Sequence, residues 1–247
     1  MNKKVGIICV LCFFALFAAS ALDLYLTPYV QGGAGQASGS LLSGRGDFYA
    51  ELGASSGTAL GSSAPFYPIL LLGAGVDLSL SQGKFFLWKG PLSFVAGLDA
   101  GEWGGAVSGS TAAGAAFAST RARSMAITLS ADERISLNLG PGLFSFELGP
   151  FVGFNGGYLV QEAISGITST TWLWPAFADI VFVGASLGFD YGFRLGPGRL
   201  RLGLRGDIGL TPLSSAAGAL GAEIDYPWRA FARAGYDLPL GAKKAEK

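Results

Sequence analysis

From Val183 to Leu195 the chain alternates without a break. Val183, Ala185, Leu187, Phe189, Tyr191, Phe193 and Leu195 are apolar or aromatic, and Gly184, Ser186, Gly188, Asp190, Gly192 and Arg194 are small or polar. A period of two sends successive side chains to opposite faces of a strand, and it is incompatible with a helix, whose period is 3.6. The pattern resumes after Gly196-Pro197-Gly198, with Leu200, Leu202, Leu204, Ile208 and Leu210 on one face and Arg199, Arg201, Arg205 and Asp207 on the other. A second hairpin turns at Gly140-Pro141-Gly142, and beyond it Phe144, Phe146, Leu148, Val152 and Phe154 alternate with Ser145, Glu147, Gly149, Gly153 and Asn155. Gly-Pro-Gly is tight-turn chemistry. A third turn is expected around Lys89-Gly90-Pro91.

Extended along the chain, the pattern predicts eight strands: Leu24–Gln31, Tyr67–Ser81, Leu92–Trp103, Ala122–Leu139, Leu143–Tyr158, Phe177–Leu195, Arg199–Thr211 and Ala219–Leu240. Most exceed the globular mode of about 5–6 residues. A membrane-crossing strand needs about 9–11. Short connections alternate with longer ones at 32–66, 104–121 and 159–176, so up-and-down threading collects the short turns at one end. That asymmetry marks outer-membrane barrels. Asp47–Gly53 also alternates, which makes ten strands the alternative count.

Composition says what the oily faces meet. Only 14% of the residues are charged and 39 of 247 are glycine, whereas a soluble domain carries about 25% charged residues and about 7% glycine. A soluble sandwich alternates too, but its turns recur every 8–12 residues or so. Here turns are more widely spaced, and the charges fall on the glycine-rich faces. The expectation is an all-β, closed antiparallel transmembrane barrel with lipid outside and polar groups inside. Tyr25, Tyr67, Trp103, Tyr158, Trp172, Trp174, Trp228 and Tyr236 fall near strand ends, where interfacial rings belong. Glu133 falls on an oily face, at the barrel edge or beside a bulge.

Parity assigns the lumen charges. The acids are Asp77, Asp99, Glu147, Asp190 and Asp207, and the bases are Arg194, Arg201, Arg205, Arg229 and Arg233. Five against five balances, as a desolvated interior requires.

Residues 1–21 read as a cleaved leader. Lys3 and Lys4 precede an apolar stretch from Val5 to Ala18, and Ala19-Ser20-Ala21 supplies a small-x-small cleavage site. The apolar core is shorter than the roughly 20 residues of a spanning helix. Both cysteines, Cys9 and Cys12, lie in the leader, so residues 22–241 carry no thiol. Residues 242–247 form a charged tail.

The mature chain resembles the small bacterial outer-membrane β-barrels of the OmpA, OmpX and OmpW kind. The resemblance is one of architecture, with one local cue. Barrel-assembly signals of that class run polar-x-Gly-x-x-apolar-x-apolar, and Arg233, Gly235, Leu238 and Leu240 fit it, ending on leucine rather than an aromatic ring. The resemblance implies export, integration into the outer membrane of a Gram-negative cell, and two partners: outer-membrane lipid and the barrel-assembly machinery.

Function is bounded mainly by exclusion. The chain has no histidine, so neither Ser–His nor His–Asp catalysis is available. No enzyme activity, cofactor or metal is expected. Nucleic acid is disfavoured, because Lys+Arg and Asp+Glu both number 17 and no basic run occurs. The leading expectation is a structural or surface barrel with a salt-bridged, largely closed lumen. The alternatives are a small pore for small or apolar solutes, and a surface adhesin binding an extracellular ligand through its loops. For the last, Trp172 and Trp174 are the candidate contact residues.

Overall fold

The computed structural model describes residues 24–38, 66–67, 69–84, 91–110, 116–164, 166–174, 180–211 and 225–240. The leader, the Asp47–Gly53 segment and the charged tail lie outside them. Among the described residues are ten strands: β1 (Leu24–Ser38), β2 (Phe66–Tyr67), β3 (Ile69–Lys84), β4 (Pro91–Ser110), β5 (Ala116–Leu139), β6 (Gly142–Ile164), β7 (Ile167–Leu173), β8 (Val181–Leu195), β9 (Gly198–Gly209) and β10 (Asp225–Pro239). Eight of them close a barrel. Neighbours pair antiparallel in the order β1-β3-β4-β5-β6-β8-β9-β10, and β10 returns to β1 through Tyr25↔Pro239 to Ser38↔Asp225. Closure removes the edges that an open sheet leaves unpaired. β2 and β7 are short additions to β4 and β6.

The turns obey their chemistry. Gly140 and Gly196 take φ of 60° and 61°, a left-handed conformation that glycine enters without penalty. They link β5 to β6 and β8 to β9 at one end, the turn end. The opposite, loop end differs from expectation. Much of 104–121 and 159–176 is strand: β4 and β5 pair up to Ser110↔Ala116, and β6 runs to Ile164 before β7 folds back on it. The sheet on that side therefore stands above the β8–β9 rim.

The two faces divide as alternation predicts. On β8 the even residues Phe182, Gly184, Ser186 and Gly188 are buried, while Val181, Val183, Leu187 and Phe189 are exposed. On β9, Arg201, Arg205 and Asp207 are buried and Leu202, Leu204 and Ile208 exposed. Glu133 keeps the outward phase of β5, in unbroken register from Ser130↔Phe151 to Glu133↔Leu148, so no bulge puts it there. A bulge does occur higher up, where Ser124↔Tyr158 is followed by Ala126↔Asn155. It flips the phase of β6 and brings both Asn155 and Tyr158 inward, where both are buried. Tyr158 and Trp103 are thus lumen residues. They do not belong to an interfacial girdle: Trp103 is fully buried.

Candidate functional site

Among the described residues the lumen is where charged and polar side chains concentrate, and they are stacked in tiers. Nearest the turn end, Arg201 Nε donates to both carboxylate oxygens of Asp237 at 2.7 and 2.8 Å, and its Nη1 reaches Asp190 and the Ser145 hydroxyl. The Thr27 hydroxyl donates to Asp237 at 2.8 Å, and Arg199 approaches the same carboxylate at 3.9 Å. Above lies a four-membered ring. Arg134 pairs with Glu147, Arg233 pairs with Asp77, and the cross contacts are Arg134–Asp77 at 3.9 Å and Arg233–Glu147 at 3.6 Å. The Arg233 guanidinium also sits 3.6 Å over the Tyr29 ring.

The third tier is a chain of alternating charge. Arg205 bridges Asp132 (3.2 Å) and Asp207 (2.9 Å), and Arg229 bridges Asp207 and Asp99, both at 2.7 Å. Neutral donors complete the acids: Gln31 and Thr128 to Asp99, Ser186 to Asp132. A desolvated ion is tolerable only when its partner and its remaining hydrogen bonds are in place, and here the guanidiniums supply both.

Toward the loop end the filling turns apolar. Trp103 meets Phe182 edge-on at 5.3 Å and Phe151 at 5.5 Å, in a cluster with Ala37, Val107, Ala118, Ala122, Ala126 and Tyr158. Glycine makes the room. A Cβ on Gly153 would lie 2.2 Å from the Phe182 ring, and one on Gly184 2.2 Å from the Phe151 ring. Arg229 joins the two regimes, its guanidinium 4.0 Å over the Trp103 ring. The void ringed by Arg134, Glu147, Asp190, Arg201, Arg205 and Arg233 measures about 20 Å³. That is little more than the roughly 10–15 Å³ a single water requires.

Nine of the ten residues expected to carry the lumen charge are in these tiers: Asp77, Asp99, Glu147, Asp190, Asp207, Arg201, Arg205, Arg229 and Arg233. Arg194 is the exception. Parity gives it the right face, but it lies opposite Arg199 at the β8–β9 turn, exposed, beyond the last closed tier. Arg194→Ala should therefore shift stability by less than about 0.5 kcal/mol in urea titrations of the folded barrel. A loss comparable to that of a lumen arginine would place it back in the network. Three further members, Asp132, Arg134 and Asp237, complete the tiers. Their signal was present, since an outward Glu133 turns both its neighbours inward and Asp237 shares parity with Arg229 and Arg233. With them the tiers hold seven acids (Asp77, Asp99, Asp132, Glu147, Asp190, Asp207, Asp237) against five arginines (Arg134, Arg201, Arg205, Arg229, Arg233), so the expected five-against-five balance is not kept.

Of the assembly-signal residues, Arg233 and Gly235 face inward, and Leu238 and Leu240 are exposed. Trp172 and Trp174 meet edge-on at 5.9 Å beside the β6–β7 hairpin. Trp172 lies over Gly157, whose Cβ would fall 2.5 Å from the indole, whereas Trp174 is 71% exposed. Among the described residues no three His, Cys, Asp or Glu side chains are grouped to hold a metal ion. No protein-family model matches the sequence, and no curated protein is similar to it.

Proposed function

We propose that this chain is an integral outer-membrane β-barrel with a structural or surface role, closed through its lumen by the charged tiers and the aromatic cap. The inverted distribution of polarity carries the reading. Among the described residues, 27 large apolar side chains are exposed, Leu70 at 67% and Leu204 at 64%, while Asp77 and Arg229 are buried to 1% and 2%. At about 1 kcal/mol forgone by each exposed side chain, the total exceeds a domain's net stability of about 5–15 kcal/mol. An apolar solvent around the wall removes that cost. The strands of the barrel, 12 to 24 residues long, are ample for a crossing of about 9–11 residues. No helix among the described residues is long and apolar enough to cross a membrane.

The role proposed is non-enzymatic, without cofactor, with outer-membrane lipid and the barrel-assembly machinery as partners. Planar-bilayer recording of the refolded full chain tests closure, and no sustained solute-permeable openings are expected. Recurrent openings whose ion selectivity follows an Arg205→Glu substitution would instead establish a small pore. A surface-binding role is the second reading, favoured by Ile167 and Trp174, which are 77% and 71% exposed around β7.

A further inference from the structure

The outer wall is not uniformly apolar. On β5 the outward residues are odd-numbered, and toward the loop end they change from Leu129, Ile127 and Met125 to Arg123 and Arg121. Register extends each row sideways. Arg121 lies opposite Gln161, and Gln161 opposite Thr170; Arg123 lies opposite Leu159, and Leu159 opposite Trp172; Ile127 lies opposite Phe154, and Leu129 opposite Val152. Residues directly opposite on neighbouring strands share a face, with Cβ atoms about 4.5–5.5 Å apart. One column of wall thus runs from aliphatic, through indole and guanidinium, to a row of guanidinium, amide and hydroxyl.

The charges in this column are not spent alike. Glu102 binds Arg123 at 3.2 Å and accepts from the Leu72 amide at 3.1 Å, which fixes Arg123 against β4. Arg121 is exposed and forms no ion pair with the described residues. Glu162 belongs to the other face of β6, since it lies opposite the lumen residue Thr120. Among the described residues the outward column therefore keeps one guanidinium without a counter-charge, followed across the row by two neutral groups able to donate hydrogen bonds, above a continuous apolar track.

We propose that this column binds the phosphate-bearing headgroup of a membrane lipid, with Arg121, Gln161 and Thr170 on the phosphate and the acyl chains along Met125, Ile127 and Phe154. The inference rests on the outer-membrane reading above. A guanidinium gives phosphate charge-assisted, bidentate contacts, and indole rings such as Trp172 favour the same interfacial depth. A soluble phosphate compound could use the cation but not the track below it, so the column fits an amphiphile.

The test is native mass spectrometry of the refolded full chain titrated in detergent with phosphatidic acid, or with diacylglycerol of the same chains. Preferential retention of phosphatidic acid is expected. Arg121→Ala should weaken it about tenfold, the low end of the scale for a hydrogen bond to a charged group, and Arg121→Lys should restore part of it. Arg194→Ala, an exposed arginine at the opposite end, should leave retention unchanged, and millimolar inorganic phosphate should not displace the lipid. Equal retention of the two lipids, an unaltered Arg121→Ala variant, or displacement by free phosphate overturns the proposal. Failure of the wild-type chain to insert into phosphatidylcholine vesicles, scored separately by protease protection, would overturn the membrane reading itself.

Discussion

Replacing Arg229 with methionine is expected to cost about 3–5 kcal/mol, the scale for a buried charge stripped of its partner. Arg229 bridges Asp207 and Asp99 and stacks on Trp103. Methionine fills part of the volume but leaves Asp99 with no cation. Asp207 keeps Arg205, so the loss concentrates at Asp99. Asp99→Asn in the Arg229→Met background should therefore recover part of the loss, because removing both charges avoids the unpaired ion. Urea unfolding in lipid vesicles, followed by tryptophan fluorescence and heat-modifiable gel mobility, measures both variants. An Arg229→Met barrel within about 0.5 kcal/mol of wild type would mean that the tiers are not what holds the lumen.

Trp103→Ala carries the second large expectation. Truncating a buried tryptophan costs about 3–5 kcal/mol when the surroundings cannot collapse. Here they are constrained, because Phe151 and Phe182 are seated on Gly184 and Gly153 and fixed by the barrel backbone. The cap should loosen while the ion tiers below stay intact. Lower stability is thus expected together with a bilayer record as silent as the wild type. Sustained conductance from Trp103→Ala would instead make the aromatic cap the element that closes the lumen. The comparison separates the two elements proposed to close the lumen: the ion-paired tiers and the aromatic cap.

Much of this was legible in the chain. The phase of Val183–Leu195 fixed which face is oily, and the Gly-Pro-Gly turns fixed which strands are neighbours. The lumen acids and arginines followed by counting in twos, and the same count reaches Asp132, Arg134 and Asp237. What parity lacks is height. Arg194 has the parity of a lumen residue but sits at the turn, where solvent replaces a partner. Trp103 and Tyr158 fall at expected strand ends because the upper parts of β4 and β5, rich in Gly, Ala, Ser and Thr, and the 159–164 stretch of β6 read as loop. Paired with one another those segments remain strand, so both rings fall inside. For Tyr158 the bulge opposite Met125 adds a phase change that alternation cannot anticipate.

The sequence by itself determined the sidedness of every regular strand, because a period of two is a local property of the backbone. It also determined which strands pair across the Gly-Pro-Gly turns, because short turns join neighbours. The tertiary structure decided which charges meet. Arg229 finds Asp99 across 130 positions of sequence and Arg233 finds Asp77 across 156. Those meetings depend on the register and stagger with which β10 closes on β1, and closure is a property of the whole sheet. The same closure brings the inward faces of all eight strands together, so that five arginines and seven acids become a network rather than a list of polar residues.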